Sequence, residues 1–454
     1  MGGAHARPDD PDDQREAVPG GGDGADDAAR TGGGLLAGGR RRTRGGGAGR
    51  DGGAHGGHAH VGHGHGEQLV LPEAERRRAR ILLSAIVLPL LLATVAGLFA
   101  LWPRGETIAG TVAMTAPGVS FETARVTSVD LDADPAVRAV LLTGPGTGAE
   151  IPVGVPPEVL AQPIPIGAKI QVIFERSGLD SGAPFIFVDY VRDVPLLWLV
   201  AIYVVGVAAV ARWRGLAAMV GLAASLGVIG LFVLPALMGG TSPLLVALVG
   251  SSAMMFVSVY LAHGISIRTT TALLGTFAGL AVTTLLALWS ADATRLIGTG
   301  SEDGYHVAGT FPEMSLRALL VCGFVIAGLG ALNDVTITQA SAVWELHGAD
   351  PGATRLSVFS RAMRIGRDHI ASTVYTLAFA YVGTALPLLL VMAIYDRSLG
   401  ALLTSGALAE EIVRTLVSSI GLILAIPITT AIAAALVRTS RAGRVGGEPT
   451  LVEA

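Results

Sequence analysis

Eight apolar runs, each close to the ~20 residues that carry an α-helix across a hydrocarbon core, constrain this chain more than any other feature. They are Ile81–Trp102, Pro195–Ala211, Leu216–Met238, Leu244–Ala262, Thr270–Ser290, Leu319–Val343, Ile370–Ile394 and Val413–Val437. The composition agrees: 51% of the 454 residues are hydrophobic and only 15% charged, where a soluble domain carries about 25% charged residues. The expected fold class is an α-helical polytopic membrane protein of about eight transmembrane helices with a small extracytoplasmic all-β domain.

The ends lie outside that fold. Residues 1–70 are a Gly-, Ala-, Asp- and Arg-rich tract too poor in large apolar side chains to offset the entropy of ordering, and they read as disordered. The first apolar run begins too late for a secretory signal. His55, His58, His60, His63 and His65 lie in this tract, and five imidazoles on a Gly-rich strand can chelate a borderline metal such as Zn, Ni or Cu. The competing reading is an adventitious His-rich tail with no ordered surroundings. Residues 438–454 read as a short cytoplasmic tail.

Arginine sets the expected orientation. Arg76, Arg77, Arg78 and Arg80 precede the first run. Arg212 and Arg214, then Arg268, then Arg355, Arg361, Arg364 and Arg367, then Arg438, Arg441 and Arg444 fall in alternate links. The links Gly239–Pro243 and Ala291–Pro312 hold only Arg295. The alternation places both termini in the cytoplasm and residues 103–192 outside a bacterial cytoplasmic membrane.

Residues 103–192 read as short strands: Thr107–Met114, Phe121–Val129, Val137–Thr143, Glu150–Val155, Lys169–Glu175 and Phe185–Tyr190. Gly and Pro clusters separate them, so a small closed β-barrel of oligonucleotide/oligosaccharide-binding type is expected. Such a barrel can bind a ligand, dock a partner or act as a structural cap, and no site chemistry in it decides.

Polar residues inside the apolar runs are the functional candidates. Asp334, Thr338, Ser341 and Glu345 share one helical stripe in the sixth run. Asp368, Ser372, Tyr375 and Thr376 share a face at the start of the seventh. An antiparallel pairing of these runs sets the two stripes opposite each other in the bundle interior, with Asp334 as an ion- or proton-linked carboxyl. The bland alternatives are a structural ion pair for Asp334, and hydroxyls that bond their own backbone. His263 and His369 read as interfacial residues, and Pro235, Pro387 and Pro427 as kinks. Cys322 is the only cysteine, which excludes an intramolecular disulfide or a Cys-based zinc site. There is no His-Glu-x-x-His, nucleophile elbow or phosphate-binding Gly-Lys-Ser/Thr pattern, so an enzyme is not expected, nor a cofactor.

Three motifs carry a resemblance: Phe187-Val-Asp189-Tyr190-Val-Arg192; Gly330-Ala-Leu-Asn333-Asp334-Val335 with Ser341 and Glu345; and Gly366-Arg367-Asp368 followed by Thr376-Leu-Ala-Phe-Ala-Tyr381. Through them the chain, from about Arg80 to Val437, resembles the YibE/F-like bacterial membrane proteins, in particular their actinobacterial branch. Other branches tend to have Asn where this chain has Tyr375. The resemblance implies an architecture and brings no established activity. A weaker likeness is to one half of resistance-nodulation-division pumps and to SecD and SecF, where two acids often stand at the place of Asn333-Asp334.

The expected function is a secondary transporter or permease. Its ion- or proton-linked candidates are Asp334, Asn333, Thr338, Ser341, Glu345, Asp368, Ser372 and Thr376. The alternative is a non-transport scaffold or assembly factor acting through the β-domain. The expected partners are the lipid bilayer, a small solute or ion, and a second copy or another membrane protein, with no nucleic acid.

Overall fold

The computed structural model describes residues 73–104, 119–174, 184–395 and 398–437. The His-rich tract, the strand expected at Thr107–Met114 and the C-terminal tail lie outside the described residues. Helix α1 (Glu73–Ala100) comes first, followed by five strands: β1 (Ser120–Val129), β2 (Val137–Leu141), β3 (Glu150–Gly154), β4 (Lys169–Phe174) and β5 (Phe185–Tyr190). A single turn, α2 (Pro157–Leu160), separates β3 from β4.

The strands close into a barrel in the order β1-β2-β3-β5-β4, with β3 and β5 parallel and the other pairs antiparallel. Alternation explains the closure. Val137, Ala139 and Leu141 point inward while Arg138 points out, and Ala124, Val126, Ile151, Val153, Ile170 and Val172 complete the same core. Register slips in β1 after Val126 and in β4 after Gln171 add the local bend that a small barrel needs. Where the chain leaves β5, Arg192 donates to both carboxylate oxygens of Asp189, at 2.6 and 2.7 Å. That guanidinium holds the Asp189 carboxyl below its ordinary value.

The remaining helices are α3 (Asp193–Val228), α4 (Leu234–Met238), α5 (Pro243–His263), α6 (Ile267–Ala293), α7 (Glu302–Thr310), α8 (Leu316–Ala349), α9 (Arg355–Thr384), α10 (Leu386–Ile394), α11 (Leu399–Leu403) and α12 (Gly406–Leu436). Local chemistry sets many of the ends. Ser266 and Thr269 form a reciprocal capping box on α6, and the side chains of Ser301, Ser315, Thr354 and Ser398 accept from the first turns of α7, α8, α9 and α11. Pro235 has no N–H to donate, and a widened π turn, Ile229–Val233, sits just before it. Near Pro387 the chain bends by 59° between α9 and α10. α12 runs on through Pro427.

Among the described residues six helices are long and apolar enough to cross a membrane, or seven if bent α9–α10 counts as one span. The expectation of eight differs because it drew two spans from Asp193–Met238, a single 46-residue run here. That run is broken inside: Arg212 has φ 54° and ψ −140°. A Cβ on Gly215 would lie 2.9 Å from the carbonyl oxygen of Val207, where a straight helix separates residues eight apart by about 12 Å. The chain therefore turns sharply at Arg212. No residue of the arm before the turn is buried, and Leu197, Trp198, Ile202 and Val205 are largely exposed.

α6, α8 and α12 pack against one another at the centre, with α5 beside α8 and α9 against α12 and α8. Leu273, Leu280, Phe324, Val325, Val413 and Val417 form one part of the core, and Leu332, Val335, Leu422, Ala425 and Ile426 another. Glycines allow the approach. A Cβ on Gly279 would lie 2.8 Å from Leu332 Cδ2 and 2.9 Å from Ala425 Cβ. Added methylenes in such a contact cost about 1–3 kcal/mol. Gly279→Leu is therefore expected to lower the melting temperature of the detergent-purified protein. Gly309→Leu, with open space around its Cβ position, should leave that temperature nearly unchanged in the same fluorescence melt.

Candidate functional site

Two ion pairs fasten the ends of the antiparallel helices α6 and α8. Arg317 reaches Asp292 at 3.0 Å, and Arg268 approaches Glu345 at 3.9 Å. Between those ends α6 has no charged side chain and α8 has one, Asp334. The exposed end pairs contribute little stability each. They mark where the apolar lengths begin and end.

Packing decides which way α8 faces. Leu332, Val335, Thr336, Gln339, Ala340, Val343 and Trp344 are buried. Thr336 and Thr276 of α6 share a hydrogen bond of 2.6 Å between hydroxyls. Gln339 donates through Nε2 to the Ala362 carbonyl of α9 at 2.9 Å and to the Thr430 hydroxyl of α12 at 2.8 Å. Gly366 leaves the room for this amide, since a Cβ there would lie 3.1 Å from Gln339 Oε1.

The stripe expected in the interior consequently faces outward. The Asp334 side chain is 74% exposed and that of Glu345 76%. Thr338 and Ser341 are half-buried, and Asp368, Ser372 and Thr376 are exposed. Three hydroxyls bond their own helices: Thr338 donates to Asp334 O, Ser372 to His369 O and Thr376 to Ser372 O. Opposed polar stripes inside the bundle are thus corrected. The competing stripe, Thr336 and Gln339, holds the interior hydrogen bonds, so α8 is turned with Asp334 outward.

One cross-helix contact reaches Asp334. His369 of α9, read from sequence as interfacial, places Nε2 3.9 Å from Asp334 Oδ2. Asn333 Oδ1 and His369 Nε2 are buried atoms without a hydrogen-bond partner. Asn333, Asp334 and His369 thus gather an acid, an imidazole and an amide with unmet bonding capacity, a set able to pass a proton or to hold a small cation with water.

Sequence reasoning also passed over the start of α12, whose acids it left before the last apolar run. Glu410 is 8% exposed, and its Oε1 accepts from the backbone N–H groups of Gly298 and Gly300 at 3.1 and 3.2 Å. It anchors the loop before α7 to α12. Glu411 accepts from Arg414 at 2.7 Å, and the Arg414 guanidinium lies 5.6 Å from the Phe324 ring centre. Glu411 also borders a mostly apolar cavity of about 280 Å³ between α9, α10, α11 and α12, with Tyr381, Leu389, Leu408 and Thr415 among its walls. The adjacent acids Glu410-Glu411 entering an apolar run were the available signal. No group of three or more His, Cys, Asp or Glu side chains suited to a metal occurs among the described residues. His55, His58, His60, His63 and His65 lie outside them.

The class is now defined: a bundle of long apolar helices, one with a single charge midway along it, carrying a small inserted β-barrel. The chain belongs to the YibE/F-like protein family, whose model matches residues 199–439, from the first arm of α3 to just beyond α12. Asn333-Asp334 and Gly366-Arg367-Asp368 fall inside the match, and Phe187–Arg192 falls before it. No curated protein and no solved structure matches.

The buried amide gives a direct test of this geometry. Gln339→Leu leaves the Ala362 carbonyl without its donor, and an unsatisfied buried group costs about 1–3 kcal/mol. A lower melting temperature is expected, and Gln339→Met, which fills the space without a donor, should not restore it. Equal melting of Gln339→Leu and the parent would show that the amide contributes nothing.

Proposed function

We propose that this chain is a multi-pass protein of a bacterial cytoplasmic membrane, with both termini cytoplasmic and the β-barrel outside. Counting the arms on either side of Arg212 separately, and bent α9–α10 as one span, gives eight crossings. The end pairs of α6 and α8 support insertion. Arg268 to Asp292 spans about 36 Å, and Arg317 to Glu345 about 42 Å, at 1.5 Å per residue. A bilayer is about 30 Å thick in its hydrocarbon and about 40–45 Å with its headgroups. The Arg-rich links, Arg76–Arg80, Arg212–Arg214, Arg268 and Arg355–Arg361, then fall on one side.

Within that membrane the chain acts as a secondary transporter or permease, and Asp334 is its ion- or proton-linked carboxyl. One observation carries this reading: Asp334 is the only charge between the end pairs of α8, and it meets His369 across the α8/α9 seam. It lies about 4–5 Å to the cytoplasmic side of the midpoint between those pairs. A charge at that depth costs at least ~2.5 kcal/mol, and such residues mark ion and proton pathways. Asp334 and His369 take up and release the proton or cation, while Asn333 supplies a carbonyl oxygen.

Proton flux into everted vesicles, followed with a pH-sensitive dye, is the test. Asp334→Asn should lower flux at least ~10-fold, the equivalent of about 1.4 kcal/mol in a barrier. His369→Gln should lower it too. Flux through the Asp334→Asn variant equal to the parent's would sink the assignment.

A second reading, an assembly factor acting through the barrel, rests on the barrel's apolar end, where Leu131 is 70% and Ile166 72% exposed. The barrel is closed and five-stranded, a form that supports the expected oligonucleotide/oligosaccharide-binding type. Removing residues 107–189 should then dissociate a co-purifying partner while leaving the helices in the membrane. Retention of every partner would end this reading.

A further inference from the structure

The α8/α9 face carries three charged side chains that form no ion pair in one copy, beside an acid met only by an imidazole. Two contacts fix the levels: Asp334 meets His369, and five residues further along α8 Gln339 meets Ala362. The helices are therefore antiparallel and in register. Arg367 and Asp368 lie within about 3 Å, along the axis, of the level of Asp334. Both are exposed, as is Arg364, one turn before Asp368. Among the described residues none of these three forms an ion pair. If the helices are inserted as proposed above, this leaves two acids and two guanidinium groups on the outer surface at or near hydrocarbon depth.

Their arrangement is self-complementary. His369 faces α8, and Arg367, two residues away, projects about 200° around α9 on the opposite flank. Asp334 thus borders one side of the exposed face of α9 and Arg367 the other. Arg364 and Asp368 lie between them, near Tyr375, which is 64% exposed. A twofold axis along the membrane normal brings the left side of one copy against the right side of the other at the same depth. We propose that a second copy of this chain covers this face, with Arg367 of each copy paired to Asp334 of the other and Arg364 paired to Asp368. The second copy completes the Asp334 site, supplying a permanent positive charge beside the titratable His369 imidazole. The inference rests on the membrane reading and is independent of whether the chain transports.

The test uses the full chain in native membrane vesicles. Cys322 is the only cysteine, so Cys322→Ala gives a cysteine-free parent. On it, Tyr375→Cys lies beside the proposed axis, and Trp198→Cys, on the exposed first arm of α3, reports random collision. With a copper–phenanthroline oxidant, Tyr375→Cys should form disulfide dimers at least ~10-fold faster than Trp198→Cys. Equal rates, or no dimers from either, in chains that sediment with the membrane would overturn the proposal and leave lipid or another protein as the cover. A chain that fails to sediment with membranes would instead overturn the reading beneath it. In the Tyr375→Cys background, Asp334→Arg and Arg367→Asp should each slow cross-linking ~10-fold, and the two together should restore it, as expected for a charge pair across an interface. A double variant as slow as the single ones would overturn the pairing.

Discussion

The approach of α6 to α12 is the constraint on which the rest of the helical structure depends. It is built reciprocally: Gly275 of α6 faces Thr429 of α12, and Gly421 of α12 faces Thr283 of α6. A Cβ at either glycine would collide with the facing threonine. Thr283 turns its hydroxyl back to Gly279 O at 2.9 Å, so its outer surface toward Gly421 is without a free donor. Between lipid tails there is no hydrophobic gain from bringing two apolar helices together. Close backbone contact and dispersion then supply the association, and small residues make that contact available. With α6 and α12 this near, the groove between them receives the side of α8 that carries Leu332 and Gly328.

The rotation of α8 follows from that groove, and the position of Asp334 follows from the rotation. Thr336 finds Thr276 and Gln339 finds Thr430 only when Leu332 and Val335 point into the groove. Asp334, next to Val335, is then carried outward toward α9. Gly366 adds the last condition: its missing side chain lets α9 close on Gln339 and Ile426, and this closure brings His369 to the level of Asp334. The acid–imidazole pair is in this sense a product of glycine contacts on α6, α9 and α12.

Much of this was legible in the sequence because period and punctuation suffice for elements. Five of the six expected strands form within a residue or two of their expected limits in the described residues, since Val137-Arg-Ala139 and Lys169-Ile-Gln-Val172 alternate and Gly or Pro ends them. The bend near Pro387 was legible because a missing N–H has a local consequence. The facing of α8 was not. It has polar residues on two stripes and apolar residues between them all round, so its own period cannot say which stripe is inside. That answer lies in Gly275, Gly279 and Gly421, on helices far away in sequence. The partners of Glu410 were illegible for a related reason: they are two backbone N–H groups more than a hundred residues earlier, and backbone has no sequence signature.

Asp334 stands apart from the fold it sits in. Among the described residues its carboxylate makes no hydrogen bond, and the ion pair that reaches it is with His369 at 3.9 Å. Alanine at that position would leave Leu332, Val335, Thr336 and Gln339 with every contact they have. The helix would be no worse packed and, in the membrane proposed above, would insert more favourably by at least ~2.5 kcal/mol. Glu410, Gln339 and Thr336 are different: each closes a hydrogen bond that the fold uses. A polar group that the packing does not require, at the depth where a charge costs most, is explained by something that acts on it from outside the bundle. The two agents proposed above, a proton or cation moving along the α8/α9 seam and a guanidinium from a second copy, would both act at this carboxylate.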